Sequence, residues 1–163
     1  MRRVLWESSQ ALGAQWRVTV WMPLLAALAL LAVLPAAGLA DFPEGRFPVA
    51  AVSRNSGLLT DSGARVLTSD QWGDYLIYRL YPRARVFFDG RSDFYGDEIG
   101  DDYRVLLLAG RRSGAVMARY GFTAALLPLD WPLGQILERD PDWRVVDRDG
   151  QAVLLEKSAG NRK

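Results

Sequence analysis

The sequence predicts an α/β protein in two parts. An N-terminal transmembrane helix precedes a small layered α/β domain, whose mostly parallel sheet ends in a C-terminal antiparallel hairpin. Three observations predict it. Residues 18–40 carry no charged side chain. From residue 48 onward, short apolar runs alternate with stretches of helical period, the order that builds layered α/β folds. Near the C-terminus, Asp149-Gly150 lies between two apolar runs, a strong hairpin signal.

The chain has 163 residues and a net charge of +1. Arg2, Arg3 and Arg17 against Glu7 put the first forty residues at +2 and leave −1 for the rest. At ~1.5 Å rise per residue, the uncharged run from Val18 to Ala40 is just long enough to cross a ~30 Å hydrocarbon core. A helix there satisfies its own backbone groups. Trp16 and Trp21 lie where an aromatic belt forms, and the three arginines favour a cytoplasmic N-terminus. The expected organisation is a cytoplasmic segment over 1–17, a transmembrane helix or signal anchor over 18–40 and a linker over 41–47. The α/β domain follows over 48–157, with a disordered tail over 158–163. The protein is then single-pass in a bacterial cytoplasmic membrane, in contact with membrane lipid, with its C-terminal domain outside, on the periplasmic face. A cleaved signal peptide is the competing reading, since Gly38-Leu39-Ala40 supplies small residues before a cut. Both readings place the domain outside.

Within the domain, Pro48 suits a first helical turn. That helix carries Val49, Ala50, Val52, Leu58 and Leu59 and ends at Asp61-Ser62-Gly63. Arg65–Ser69 is a compact strand between Gly63 and Asp70. From Gln71 to Leu80, Trp72, Leu76, Ile77 and Leu80 recur at helical spacing. Arg85–Phe88 is a second strand, followed by the turn pair Asp89-Gly90. The polar, acidic stretch from Arg91 to Asp102 reads as a solvated loop. Tyr103–Leu108 and Gly114–Tyr120 are helical, Thr123–Leu127 is a third strand, and Pro132–Arg139 is a helix. Trp143–Val146 and Ala152–Leu155 form the hairpin. Helices connect the first three strands, which are therefore expected to be parallel, with the hairpin adding an antiparallel edge.

There is no cysteine and no histidine. That removes a thiol nucleophile, a disulfide framework, a Cys/His zinc site and a Ser-His-Asp triad. The near-neutral domain gives no electrostatic case for nucleic acid. In open α/β sheets, ligands sit beyond the C-terminal strand ends. Ser69-Asp70-Gln71-Trp72, Asp89-Gly90-Arg91-Ser92-Asp93 and Asp130-Trp131 all fall there. The candidates for a ligand-binding or structural polar cluster are Asp70, Trp72, Asp89, Gly90, Arg91, Asp93 and Tyr95. An arginine among carboxylates suits a sugar hydroxyl or phosphate, and equally a buried ion pair. The structural reading is favoured, because Asp-Gly is a turn pair and Asp70 suits a helix N-cap. The carboxylates Asp89, Asp93 and Asp97 are spaced by four, unlike the alternating ligands of a calcium loop. Gly110 to Gly114 lacks the spacing and lysine of a phosphate loop. No catalytic residue, metal or cofactor is implied.

Two motifs carry a resemblance. They are Asp70-Gln-Trp-Gly-Asp-Tyr-Leu-Ile-Tyr78 and Val86-Phe-Phe-Asp-Gly-Arg-Ser-Asp-Phe-Tyr95. With Asp142-Trp143 and the closing strand pair, they resemble the C-terminal extracytoplasmic segment of large bacterial multi-span membrane proteins. Some of those proteins are similar to lipid-linked-sugar glycosyltransferases of the mannosyltransferase type. In that group the segment follows the last membrane helix, and its pattern is Trp-Gly-Gly-Tyr-Leu, then Phe-x-Asp-Gly-Arg-x-Asp-x-Tyr. The resemblance covers about residues 44–157. Asp74 departs from it, since the group has glycine there. The chain also has one membrane segment where the group has many. The group's catalytic carboxylates lie on loops between early membrane helices, and nothing here matches them. The resemblance therefore implies a membrane-anchored, non-catalytic domain that packs against a multi-span glycosyltransferase-like partner or binds lipid-linked glycan for it. The alternatives are an independent extracytoplasmic carbohydrate-active enzyme using Asp89 and Asp93, and a purely structural anchored domain.

Overall fold

The computed structural model describes residues 21–29 and 42–158. Two compact units divide at Asp41. In the first, a helix α1 is described over residues 21–29, with its apolar side chains exposed. The remainder of the expected 18–40 span, and the segment 1–17, lie outside the described residues. No helix among the described residues is long and apolar enough to cross a membrane.

The second unit is a small α/β domain around a four-stranded mixed sheet. Strand β1 (Val66–Thr68) runs parallel to β2 (Ala124–Pro128). Strand β4 (Ala152–Lys157) is antiparallel both to β2 and to β3 (Trp143–Arg148). The order is β1-β2-β4-β3, so the expectation of a mostly parallel sheet is corrected: one strand pair of the three is parallel. Arg85–Phe88 does not become a full strand. It meets the sheet through a single parallel bridge between Val66 and Val86, held by Val66 N–H to the Arg85 carbonyl at 3.1 Å and Phe87 N–H to the Val66 carbonyl at 3.0 Å. The chain then leaves the sheet at Phe88, whose carbonyl lies against Gly73. The hairpin forms as expected, but β4 inserts beside β2 and leaves β3 at the edge.

Side chains alternate across the strands with the period of two that extended backbone imposes. Val66, Ala124, Leu126, Ala152 and Leu154 point to one face, under α2 (Val49–Arg54), α3 (Ser56–Leu59) and α4 (Asp70–Leu80). Leu67, Ala125, Leu127, Val153 and Leu155 point to the other, under α5 (Gly96–Leu107), α6 (Ser113–Tyr120) and α7 (Pro132–Leu137). Covering both faces explains why β2 and β4 read as continuous apolar runs rather than alternating ones.

Helix α4 places the first motif. Its N-cap is Ser69, not Asp70: the Ser69 hydroxyl accepts from Trp72 N–H at 3.4 Å, and Asp70 is the first helical residue. An acidic group in the first turn suits the helix dipole. Trp72, Tyr75 and Leu76 face the core. Residues 42–47, read as a linker, pack onto this helix. The Phe42 and Phe47 rings lie 4.8 and 5.6 Å from Tyr75, and the Trp72 indole N–H donates to the Arg46 carbonyl at 2.9 Å.

The acidic run also folds differently from the expected loop. Ser92–Phe94 is a 3-10 turn and α5 starts at Gly96, with Asp97 and Glu98 in its first turn. Asp102 turns inward, buried, and accepts from Arg119 at 3.2 Å and from the Tyr120 hydroxyl at 3.0 Å. These bonds tie α5 to α6. At the far edge of the sheet, β3 carries a bulge between Val145 and Asp147. Its Arg144 pairs with Glu156 at 2.6 Å, Arg148 with Glu138, and Asp147 with Arg54 at 2.9 Å. Ser158, at the start of the expected tail, donates its N–H to the Asp142 carbonyl at 2.7 Å; residues 159–163 lie outside the described residues.

Candidate functional site

The seven residues singled out in the sequence separate into three places. Asp70 and Trp72 line a groove of about 670 Å³ at the C-terminal ends of β1 and β2. Asp130 and Trp131, which follow β2, line the same groove. The strand-end rule thus assigned two of its three segments to a shared cleft. Asp93 is exposed and belongs to a different cleft of about 570 Å³, shared with Asp97, Asp101 and Arg104. Asp89, Gly90, Arg91 and Tyr95 form an internal clamp lining neither.

The clamp is built on Asp89, whose side chain is 1% exposed. One carboxylate oxygen accepts from the Arg91 backbone N–H at 2.9 Å and from Arg91 Nε at 3.0 Å. The other accepts from Arg91 Nη2 at 2.7 Å and from the Tyr95 hydroxyl at 2.8 Å. The Arg91 guanidinium, with its own N–H and Tyr95 assisting, holds the Asp89 carboxyl down at about 2, against the opposing effect of burial. Burial, followed by the facing Asp89 carboxylate, raises the Tyr95 hydroxyl. The adjacent Gly90 does not need a left-handed backbone. It needs space: a Cβ there would lie 2.5 Å from an Asp74 carboxylate oxygen. Asp74, where the resembling group has glycine, instead accepts the Gly90 N–H at 3.2 Å.

Arg91 itself is 66% exposed, so the pair is closed on one side only. Arg91→Ala is expected to lower the thermal midpoint, because a buried carboxylate loses its main partner. The drop is smaller than for a fully enclosed pair, since water can reach the vacated side. A melting curve of this variant checks it, and an unchanged midpoint would show that the clamp contributes nothing to folding.

An aromatic stack joins the clamp to the groove. The Phe88 ring lies between Tyr95, 4.7 Å away, and Tyr103, 4.1 Å away and nearly coplanar at 10°. The Tyr103 hydroxyl accepts from the Asp70 backbone N–H at 2.9 Å, and burial pushes it up to about 12. The Trp131 ring is 6.2 Å from Tyr103, tilted by 58°. No family model, curated protein or solved structure matches this chain.

What the groove can do follows from its lining. Asp70, Gln71, Asp130 and Gln151 bring two carboxylates and two amides, and Arg46 brings the one guanidinium. Tyr103 and Trp131 supply aromatic walls. Such a site can hydrogen-bond a polar ligand and cover its apolar face. Among the described residues, no three carboxylates are grouped to hold a metal ion. Sequence reasoning missed Tyr103 and Gln151. Gln151 was reachable, because β4 starts where an antiparallel neighbour of β2 must start. Tyr103 carried no signal of its own, sitting on a helix whose start was misplaced.

Proposed function

We propose that residues 42–158 form a non-catalytic extracytoplasmic domain, anchored in a bacterial cytoplasmic membrane and serving a multi-span partner that resembles lipid-linked-sugar glycosyltransferases. One observation carries the non-catalytic reading. Asp89, the most buried carboxylate of the clustered candidates, spends both oxygens on Arg91 and Tyr95. A general acid must hold a proton near its working pH, and a carboxyl held at about 2 does not. Asp93 lines a separate cleft, so the two do not act as the paired acid and base of a glycosidase across one bond. The location rests on the uncharged run from Val18 to Ala40 behind Arg17, and the partner class on the two motifs around Trp72 and Asp89.

A reporter fused after Lys163 tests the location. An enzyme that works only outside the cytoplasm is expected to be active, and cytoplasmic activity would overturn the topology. The purified full chain is expected to leave aryl glycosides uncleaved at neutral pH. Turnover that disappears in Asp93→Asn would overturn the non-catalytic reading.

A further inference from the structure

We propose that the groove beyond β1 and β2 binds a neutral sugar residue, with Trp131 as its platform and Gln71, Asp130 and Gln151 as its hydroxyl ligands. The inference deepens the non-catalytic reading, on which it rests, by giving the domain a ligand class.

Three features of the groove point to this chemistry. First, its polar side chains have capacity to spare. Among the described residues, the Gln71, Asp130 and Gln151 side chains form no hydrogen bond or ion pair, unlike the saturated Asp89 nearby. Sugar hydroxyls both donate and accept, so carboxylates and amides together match them better than either type alone. Second, the aromatic wall is fixed before any ligand arrives. Trp131 is half-buried, its ring packed against the apolar core and 6.2 Å from Tyr103, and its backbone N–H bonds the Pro128 carbonyl at 3.1 Å directly before α7. Tyr103 is held by Phe88 on one face and by the Asp70 N–H at its hydroxyl. A pyranose ring presents an apolar C–H face that such a wall removes from water. Third, the charge is wrong for a phosphate. Two carboxylates outnumber Arg46 in the lining, whereas anion sites present converging cations or backbone N–H groups. The N–H of Asp70, at the start of α4, is already taken by Tyr103. A peptide is disfavoured by position, because the groove lies across strand ends and not along an open strand edge.

The test uses the full chain in lipid nanodiscs, since sugar-headed detergents would compete. Methyl glycosides of glucose, galactose, mannose and N-acetylglucosamine are titrated, with inorganic phosphate as a separate probe. Saturation-transfer NMR and tryptophan fluorescence report binding. At least one glycoside is expected to saturate with a dissociation constant on the order of 1–10 mM, ordinary for so small a ligand. Asp130→Ala and Trp131→Ala are each expected to weaken it by about tenfold. Asp130 is exposed, so its variant keeps the wild-type melting midpoint even if Trp131→Ala proves unstable. No saturable glycoside, equal affinity in Asp130→Ala, or saturable binding of phosphate alone would each overturn the proposal. A cytoplasmic reporter or glycoside turnover would instead overturn the functional reading and leave this titration standing.

Discussion

Gly73→Ala is expected to cost the domain roughly 3 kcal/mol, the upper range for overpacking a core. The sign is the informative part. In the middle of an ordinary helix this substitution gains about 1 kcal/mol, because alanine is the better helix former. At Gly73 the added Cβ would collide with the Phe88 carbonyl oxygen and lie 3.2 Å from Asp89 Cα and 3.3 Å from Asp89 Cβ. Those are largely backbone atoms of a segment pinned by the clamp, and they cannot rotate aside as the end of a long side chain can. The close approach fixes where the chain leaves the sheet, so the variant moves Asp89 as well as α4. Equilibrium denaturation in urea measures the loss. A neutral or stabilising result would mean that α4 and Phe88 are not packed as described. Gly90→Ala is the natural control, because the atoms nearest its Cβ belong to the Asp74 carboxylate, the end of a side chain that can rotate aside, and the expected cost is smaller.

Asp89→Ala is expected to lose a similar amount at neutral pH, roughly 3 kcal/mol, as the Tyr95 hydroxyl and the Arg91 N–H lose a charged acceptor. Typical small domains have about 5–15 kcal/mol in total. The pH dependence separates the clamp from simple packing. The folded Asp89 carboxyl lies at about 2, below its ordinary 3.8. The ionised form is therefore favoured by folding. Its contribution is complete above the ordinary value and is lost as pH falls through about 2. A shift of that size corresponds to about 2 kcal/mol. Thermal melts between pH 5 and pH 2 are expected to show the wild type losing stability more steeply than Asp89→Ala. Parallel curves would place the acid sensitivity on other carboxylates.

The helices with apolar residues at regular spacing were legible in the sequence: Trp72 and Leu76 set α4, and Pro132 set the start of α7. Asp149-Gly150 gave the hairpin. The partner of each strand was not legible. Arg85–Phe88 has the composition of a strand, but it pairs only through the Val66–Val86 bridge and turns away at Phe88, whose carbonyl packs against Gly73, fifteen residues earlier. The first residues of α5 were hidden for a related reason. Gly96 and Gly100 are poor helix formers, and the acidic side chains beside them face water, leaving no apolar stripe to detect until Tyr103. At the candidate site, the strand-end rule placed Asp70, Trp72, Asp130 and Trp131 correctly beyond β1 and β2. It grouped Asp89 with them because it took Arg85–Phe88 for a full strand. The chemistry of Asp89 depends on Arg91 and Tyr95, close by in sequence; the pairing with Arg91 was readable from that spacing, but the expected buried pair is half open, with Asp89 enclosed and Arg91 66% exposed.

The bulge in β3 has a consequence for how copies of this protein behave when crowded together. A sheet edge with free N–H and C=O groups is a template on which a second chain can add a strand, and such pairing propagates into aggregates. The exposed Val145 and Val146 on β3 would make that edge sticky. The bulge falls between Val145 and Asp147 and interrupts the regular spacing that an incoming strand would have to match. Arg144 and Arg148 flank it, each paired with a carboxylate, so an incoming strand would meet charged side chains on either side of the bulge. At the opposite edge, the short bridge from Val86 occupies part of β1. Both edges of the sheet are thereby blunted against the addition of a strand from a second copy.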